Sequence, residues 1–211
     1  MKLTKFEHAC LVAEIDGTKL VVDPGSFTVP LADLTNIVAV VITHEHQDHW
    51  TPEHLTAIAK QNPGVRILAP AGVAAAASEF TIEVVNDGDV IEIEPFTLAF
   101  YGTTHATIHS SIPLVDNVGV MINDAVFYPG DQFTIPPVPV TTLAVPAGAP
   151  WLKIGEVIDY VLAVKPKRTF PVHQMVLSVI GQGMANGRIA GATEEVGGTA
   201  VVLEPGESID L

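Results

Sequence analysis

A chain of 211 residues, 48% of them hydrophobic and 16% charged, carries enough apolar surface to bury a sizeable core and does not have the composition of a disordered polymer. Its formal net charge of −14, with only ten scattered Lys and Arg, excludes the basic stripe that a long nucleic acid would need. No run of about 18 apolar residues is present to cross a bilayer as a helix, and Cys10 alone leaves no intrachain disulfide.

The first residues, with Lys2, Lys5, Glu7, His8 and Glu14, lack the apolar block and cleavage site of a signal peptide. The expectation is a cytoplasmic protein with no membrane association, built as a single domain over residues 1–211. Its acidity reads as solubility rather than as a site for a cationic partner. The acidic, apolar-rich surface is compatible with a homo-oligomer without specifying one.

In chain order, residues 1–23 read as short strands, with Asp16 and Gly17 as a hairpin turn. Residues 36–43, NIVAVVIT, form a β-branched apolar run that predicts a buried strand ending where a group of histidines begins. Thr51 and Pro52 start a helix through about Lys60, which Asn62, Pro63 and Gly64 stop. A strand at VRILAP and an alanine-rich helix over 70–79 follow. From Phe80 strands dominate: TIEVV, DVIEIE, FTLAFYG, VGVMI and AVFYPGD, the last two joined through Asn123 and Asp124. Then come VTTLAVP, a helix over 153–164, RTFPVH, a glycine-broken helical region near 181–195 and a closing strand TAVVLEP, while the Pro-rich 135–140 reads as a constrained loop. Two halves, each a sheet covered on one face by helices, give an α+β fold arranged as a four-layer αββα sandwich.

The segment His44-Glu45-His46-Gln47-Asp48-His49 places three histidines and a carboxylate directly after a strand. Neutral imidazole and carboxylate are good ligands for zinc and similar divalent ions, and a tight turn can aim alternate side chains at two neighbouring metal positions. The zincin pattern HExxH is excluded, because Asp48 stands where its second histidine would be. Further His and Asp residues stand at the ends of later strands.

The H-x-H-x-D-H spacing resembles the signature of the metallo-β-lactamase superfamily. The resemblance extends to Val22-Asp23-Pro24-Gly25, to His105 or His109, to Pro129-Gly130-Asp131 and to Pro171-Val172-His173, all in the family's order. The short length and the pairing of Glu7-His8-Ala9 with the Asp23 turn look most like the branch that includes ascorbate-6-phosphate lactonase. By this resemblance one metal takes His44, His46 and a third histidine, and the other takes Asp48, His49 and His173, with Asp131 bridging. The third histidine is His105 or His109; the place of His105 directly after a strand favours it, leaving His109 as a substrate contact, a support for a ligand or a replacement ligand. Asp23, at a strand end before Pro24 and Gly25, suits a turn or cap, while the resemblance implies that it buttresses a metal-binding histidine, and His8 is either an ordinary histidine or a hydrogen-bonding partner near the Asp23 turn. Diiron flavoproteins of the superfamily carry Glu at the equivalent of His46, so the histidine here points to a hydrolytic zinc pair, with manganese or iron as alternatives.

Among the remaining candidates, Glu45 and Gln47 should point away from the ligands, His54 should be solvated, Trp50 and Trp151 read as packing residues, and Lys153 as a surface cation. No Walker or dinucleotide loop and no G-x-S-x-G elbow is present. The expected activity is hydrolysis of a small-molecule ester, lactone or amide, phosphorylated or not, by a hydroxide bridging two metals, with Asp48 orienting it and His109 at the developing oxyanion. The alternatives are a phosphodiesterase or nuclease of the same fold, against which the net charge counts, and a metal-binding protein without turnover.

Overall fold

The computed structural model describes Met1–Leu211. The first half of the chain supplies β1 (Lys2–Lys5), β2 (Leu11–Ile15), β3 (Thr18–Val22), β4 (Ile37–Val41), α1 (Pro52–Gln61), β5 (Arg66–Ala69), α2 (Ala71–Ala76) and β6 (Ile82–Val84). The second supplies β7 (Val90–Ile93), β8 (Phe96–Tyr101), β9 (Gly119–Ile122), β10 (Val126–Tyr128), β11 (Thr142–Pro146), α3 (Ile154–Val164), β12 (Arg168–Val172), α4 (Val179–Glu195), β13 (Thr199–Ala200) and β14 (Ser208–Asp210). Two seven-stranded sheets result, ordered β14-β1-β2-β3-β4-β5-β6 and β13-β12-β11-β10-β9-β8-β7.

Strand periodicity sorts the apolar residues into layers. In β3, Leu20 and Val22 enter the core between the sheets, where they pack with Phe96, Leu98, Phe100, Tyr128 and Phe170 of the opposite sheet. The intervening Val21 faces outward, into a layer with Val40 and Ile42 that Leu55 and Ile58 of α1 cover. On the far side Phe127, Leu143 and Val145 meet Val157 and Val161 of α3 and Ile189 of α4. The sequence of layers is helix, sheet, sheet, helix, as the pattern of elements predicts. Each fully buried aliphatic side chain contributes about 1.5–3 kcal/mol, so the inter-sheet layer is the dominant stabilising feature.

Local chemistry accounts for most element ends. The Asp16 and Gly17 turn adopts positive φ at both residues (49° and 80°), the two-residue hairpin geometry expected there. Thr51 caps α1, accepting from the backbone N–H of His54, and Pro52 opens the helix. Two expectations need correction, and one strand is new. The region near 181–195 is one continuous 17-residue helix starting at Val179, because Ala185, Ile189 and Ala192 bury one face and side chains added at Gly183, Gly187 and Gly191 would meet only open space. The closing strand shrinks to Thr199–Ala200, and β14, which the sequence did not suggest, pairs antiparallel with β1.

The directions of the strands position the site. β3, β4 and β5 run parallel in one sheet, and β10, β11 and β12 run parallel in the other. Every candidate ligand follows the C-terminal end of a strand: His44 to His49 after β4, His105 after β8, Asp131 after β10 and His173 after β12.

Candidate metal centre

The strand ends bring three groups of donor atoms together, the atoms of each lying within 4.8 Å of one another: His44, His46 and His105; His44, His49 and Asp131; and His8, Asp48, His49 and His173. Except for His46 and Asp48, these residues are buried. The sequence-derived residues thus converge, with Asp131 between the two outer groups. His105, not His109, joins His44 and His46. The His109 imidazole is exposed on the 102–118 loop, where its Nδ1 lies 2.8 Å from the Ser111 hydroxyl.

Four of the histidines are held from behind so that Nε2 faces the cluster. His49 Nδ1 donates to Asp23 Oδ2 at 2.6 Å, His173 Nδ1 to the Gly148 carbonyl at 2.6 Å and His105 Nδ1 to the Ala106 carbonyl at 2.6 Å. His44 Nδ1 lies 3.1 Å from Thr43 Oγ1, whose hydroxyl donates to Asp23 Oδ2 at 2.7 Å. Anchoring one ring nitrogen fixes the tautomer and leaves the other as the free donor to an ion. Asp23, itself fully buried, therefore supports His49 directly and His44 through Thr43.

The donor set fits divalent ions on the molecule's own terms. His44 Nε2, His105 Nε2 and Asp131 Oδ1 are buried without any hydrogen-bond partner. Leaving such atoms unpaired is costly, and a divalent ion held by them would satisfy them. Without an ion, protons compensate the carboxylates. Burial lowers the basicity of His173, but Asp131 and Asp48 outweigh it and push its pKa up to about 10. Burial also opposes protonation of His49, yet Asp131 and Asp23 raise its pKa. Asp131 stays well below the usual carboxylate range because His173 and His49 overcome its desolvation. For His44, burial and the neighbouring His49 outweigh the opposite pull of Asp131 and hold the pKa well below the usual histidine value, so it stays neutral.

His8 sits deeper in the centre than its sequence position suggested. Its bond goes not to the Asp23 turn but to Asp48, with Nε2 3.1 Å from Oδ2, and its ring centroid lies 3.8 Å from that of His173. Its carbonyl accepts the His173 backbone N–H, and burial takes its pKa down to about 4, so it remains neutral. Lacking any ring partner at Nδ1, it donates from Nε2 to Asp48.

Several participants were missed or underweighted. Trp151 is more than packing, since its Nε1–H donates to Asp131 Oδ2 at 2.8 Å. Asn117 accepts the Asp131 backbone N–H at 2.9 Å and donates to the Pro129 carbonyl. Gly130, at φ +66°, lies so close to Asn117 and Thr43 that a Cβ would fall 2.4 Å from Asn117 Oδ1. Gly25 is equally constrained: a Cβ there would meet the Asp48 carbonyl at 1.9 Å. Tyr128 is buried with its hydroxyl 3.5 Å from His49 Nδ1. His54 is half-buried and bonded to the Thr28 carbonyl rather than solvated, while Trp50 packs in the α1 layer and Lys153 pairs with Glu156 on the surface.

Comparison with known proteins places the chain in a family and a fold. Residues 2–173 match the family described as the beta-lactamase superfamily domain. Protein Rv0786c of Mycobacterium tuberculosis is 36% identical over 198 residues, covering 92% of this chain and 93% of that protein. The UPF0173 protein PF0020 of Pyrococcus furiosus is 28% identical over 187 residues, covering 82% of this chain and 83% of its own. In structure the chain is similar to Igni18, a metallo hydrolase of Ignicoccus hospitalis, with a TM-score of 0.76 at 20% identity over 99% of this chain and 97% of that one. It is also similar to the isothiocyanate hydrolase from Delia radicum gut bacteria, with a TM-score of 0.69 at 16% identity over 100% and 99%. The chain belongs to the β-lactamase superfamily, and its αββα sandwich is the metallo-β-lactamase fold.

Proposed function

We propose that this chain is a metal-dependent hydrolase that holds two divalent ions, zinc foremost, and cleaves a small ester, lactone or amide. The observation that carries the reading is the convergence of His44 Nε2, His105 Nε2 and Asp131 Oδ1, all buried and without a hydrogen-bond partner. One ion would take His44, His46 and His105; the other Asp48, His49 and His173; Asp131 would serve both.

When bound, such ions supply Lewis acidity and bring the pKa of a coordinated water close to neutrality, so no protein nucleophile is required. The chain's own residues do the positioning. His8 holds Asp48 from one side, Trp151 holds Asp131 from the other, and Asp23 with Thr43 locks two imidazoles in one tautomer. Rigid support of this kind keeps donors aimed where charge develops, which reduces reorganisation during reaction.

The test is elemental analysis of the purified protein together with hydrolysis of simple esters before and after chelation. The reading predicts about two ions per chain, loss of turnover on chelation and on Asp131→Ala, and recovery when the wild type is reloaded. A folded, metal-supplemented protein that binds no ion, or that turns over unchanged after chelation, overturns it.

A further inference from the structure

Four of the segments that surround the candidate centre carry no charge, whereas the ligand turn itself holds Glu45. Residues 24–32, 102–115, 132–152 and 173–187 contain no Asp, Glu, Lys or Arg, although 16% of the chain is charged. Exposed apolar side chains stand there instead, among them Phe27, Ile112, Leu114, Ile135, Met175 and Val176. The start of α4 adds Val179, Ile180 and Met184, exposed at 84%, 78% and 68%. Of the large exposed hydrophobic residues only Val84, Val90 and Val202 stand away from these loops and helix starts. Scattered apolar residues need no explanation, but this concentration at one end of the sandwich does.

The cations are distributed in the opposite sense. Lys19, Lys60, Arg66, Lys165, Lys167 and Arg168 stand at strand starts or helix ends remote from the ligands, and Lys2 and Lys5 lie on β1. Lys153 is paired with Glu156. Arg188 is the one charged residue lining an apolar cavity of about 380 Å³ formed by Leu152, Ile154, Leu177, Met184 and Ala185. That volume lies within the ~300–1,000 Å³ range of small-molecule sites. Gly148 forms part of its wall while its carbonyl holds His173, so the cavity lies one peptide group from a candidate ligand.

We propose that the substrate is an uncharged ester or amide bearing a hydrocarbon chain, with the chain seated against the start of α4 in this cavity and the carbonyl at the histidine cluster. The inference rests on the hydrolase reading and narrows it. A phosphorylated lactone or a phosphodiester would meet almost no cation outside the centre itself, whereas an alkyl chain removes exposed apolar surface from water. The reaction consumes one water: its oxygen bonds to the acyl carbon, the acyl C–O or C–N bond breaks, one proton goes to the departing alcohol or amine, and the other leaves with the acid.

Two measurements test this. With zinc-loaded protein, kcat/KM is compared for 4-nitrophenyl acetate, 4-nitrophenyl octanoate, 4-nitrophenyl phosphate and bis(4-nitrophenyl) phosphate. Each buried methylene is worth about fourfold, so octanoate should exceed acetate by tenfold or more and both phosphates should be poor. Met184→Glu, at an exposed helical position, should bring the octanoate-to-acetate ratio down towards one, while Val90→Glu on the distant β7 leaves it unchanged. Independently of turnover, metal-free protein should bind N-octylacetamide saturably by tryptophan fluorescence, at least tenfold more weakly in Met184→Glu, and should not bind N-methylacetamide. Equal rates for the two carboxylic esters, preference for a phosphate, or a chain-length gain that survives Met184→Glu overturns the proposal. So does a dimer abolished by Met184→Glu without any chain-length effect, which would assign this face to a second copy. If no ester is cleaved at all, the hydrolase reading fails, and the N-octylacetamide titration still decides whether the cavity takes an alkyl chain.

Discussion

The indole N–H of Trp151 is bonded to Oδ2 of Asp131 at 2.8 Å, with both side chains buried. That bond sets the rotation of a carboxylate whose other oxygen, Oδ1, makes no hydrogen bond and lies 3.4 Å from His49 Nε2. Trp151→Phe keeps the ring bulk and removes the donor. The folded protein should retain its structure while divalent-ion affinity falls about 10- to 100-fold, as measured by competition against a chelator. Unchanged affinity would show that the indole only fills space.

Asp23 concentrates three bonds in one buried carboxylate: from the Thr43 backbone N–H at 2.8 Å, from the Thr43 hydroxyl at 2.7 Å and from His49 Nδ1 at 2.6 Å. Asp23→Asn preserves the size but places an amide where three donors converge. Metal affinity is expected to drop about 10- to 100-fold, with thermal unfolding shifted downward as well. A variant matching the wild type in both would remove Asp23 from the support of His49.

The two histidines of the 102–118 loop should separate cleanly. His105→Ala removes a buried donor grouped with His44 and His46, whereas His109→Ala removes an exposed ring bonded to Ser111. Elemental analysis should show metal lost in the first variant and retained in the second; the reverse result would place His109 in the centre.

Lys5 provides a pH test away from the centre. Its burial lowers the pKa from 10.5 to about 8, against the opposite influence of Glu204 and Glu7. Between these values the unfolded chain holds a proton that the folded chain has released, so this group's contribution to stability rises with pH, and the cost of burying its charge is complete below about pH 8. Lys5→Met should therefore be more stable than wild type by about 1–3 kcal/mol at pH 7. The difference should fade towards zero as the pH reaches 10.5. Urea unfolding at several pH values measures it, and a constant difference would exclude this cause.

Much of this architecture was legible because its signals are local. The run Ile37–Val41 is apolar and β-branched, the Asp16 and Gly17 turn has one favoured geometry, and the histidines follow directly after a strand. What escaped depends on distant partners. The Ser208–Asp210 strand exists because β1 offers it an edge some two hundred residues away, and α4 stays continuous through four glycines because Ile189 and its neighbours are buried by other elements. The hydrogen bonds of His8 to Asp48 and of Trp151 to Asp131 join residues separated by 40 and 20 positions, which no spacing rule connects. Asn117 and Thr43 carry no distinguishing pattern in sequence, since a buried polar residue shows its role only through the groups it meets.

The candidate ligands are divided between the two sheets: His44, His46, Asp48 and His49 hang from β4, while His105, Asp131 and His173 hang from β8, β10 and β12. Ions held by this set would act as rivets at the rim of the seam, a second fastening for two plates that the shared apolar layer already joins. Stripping them should remove that fastening, and the rim should then exchange its amide hydrogens sooner than the layers beneath it.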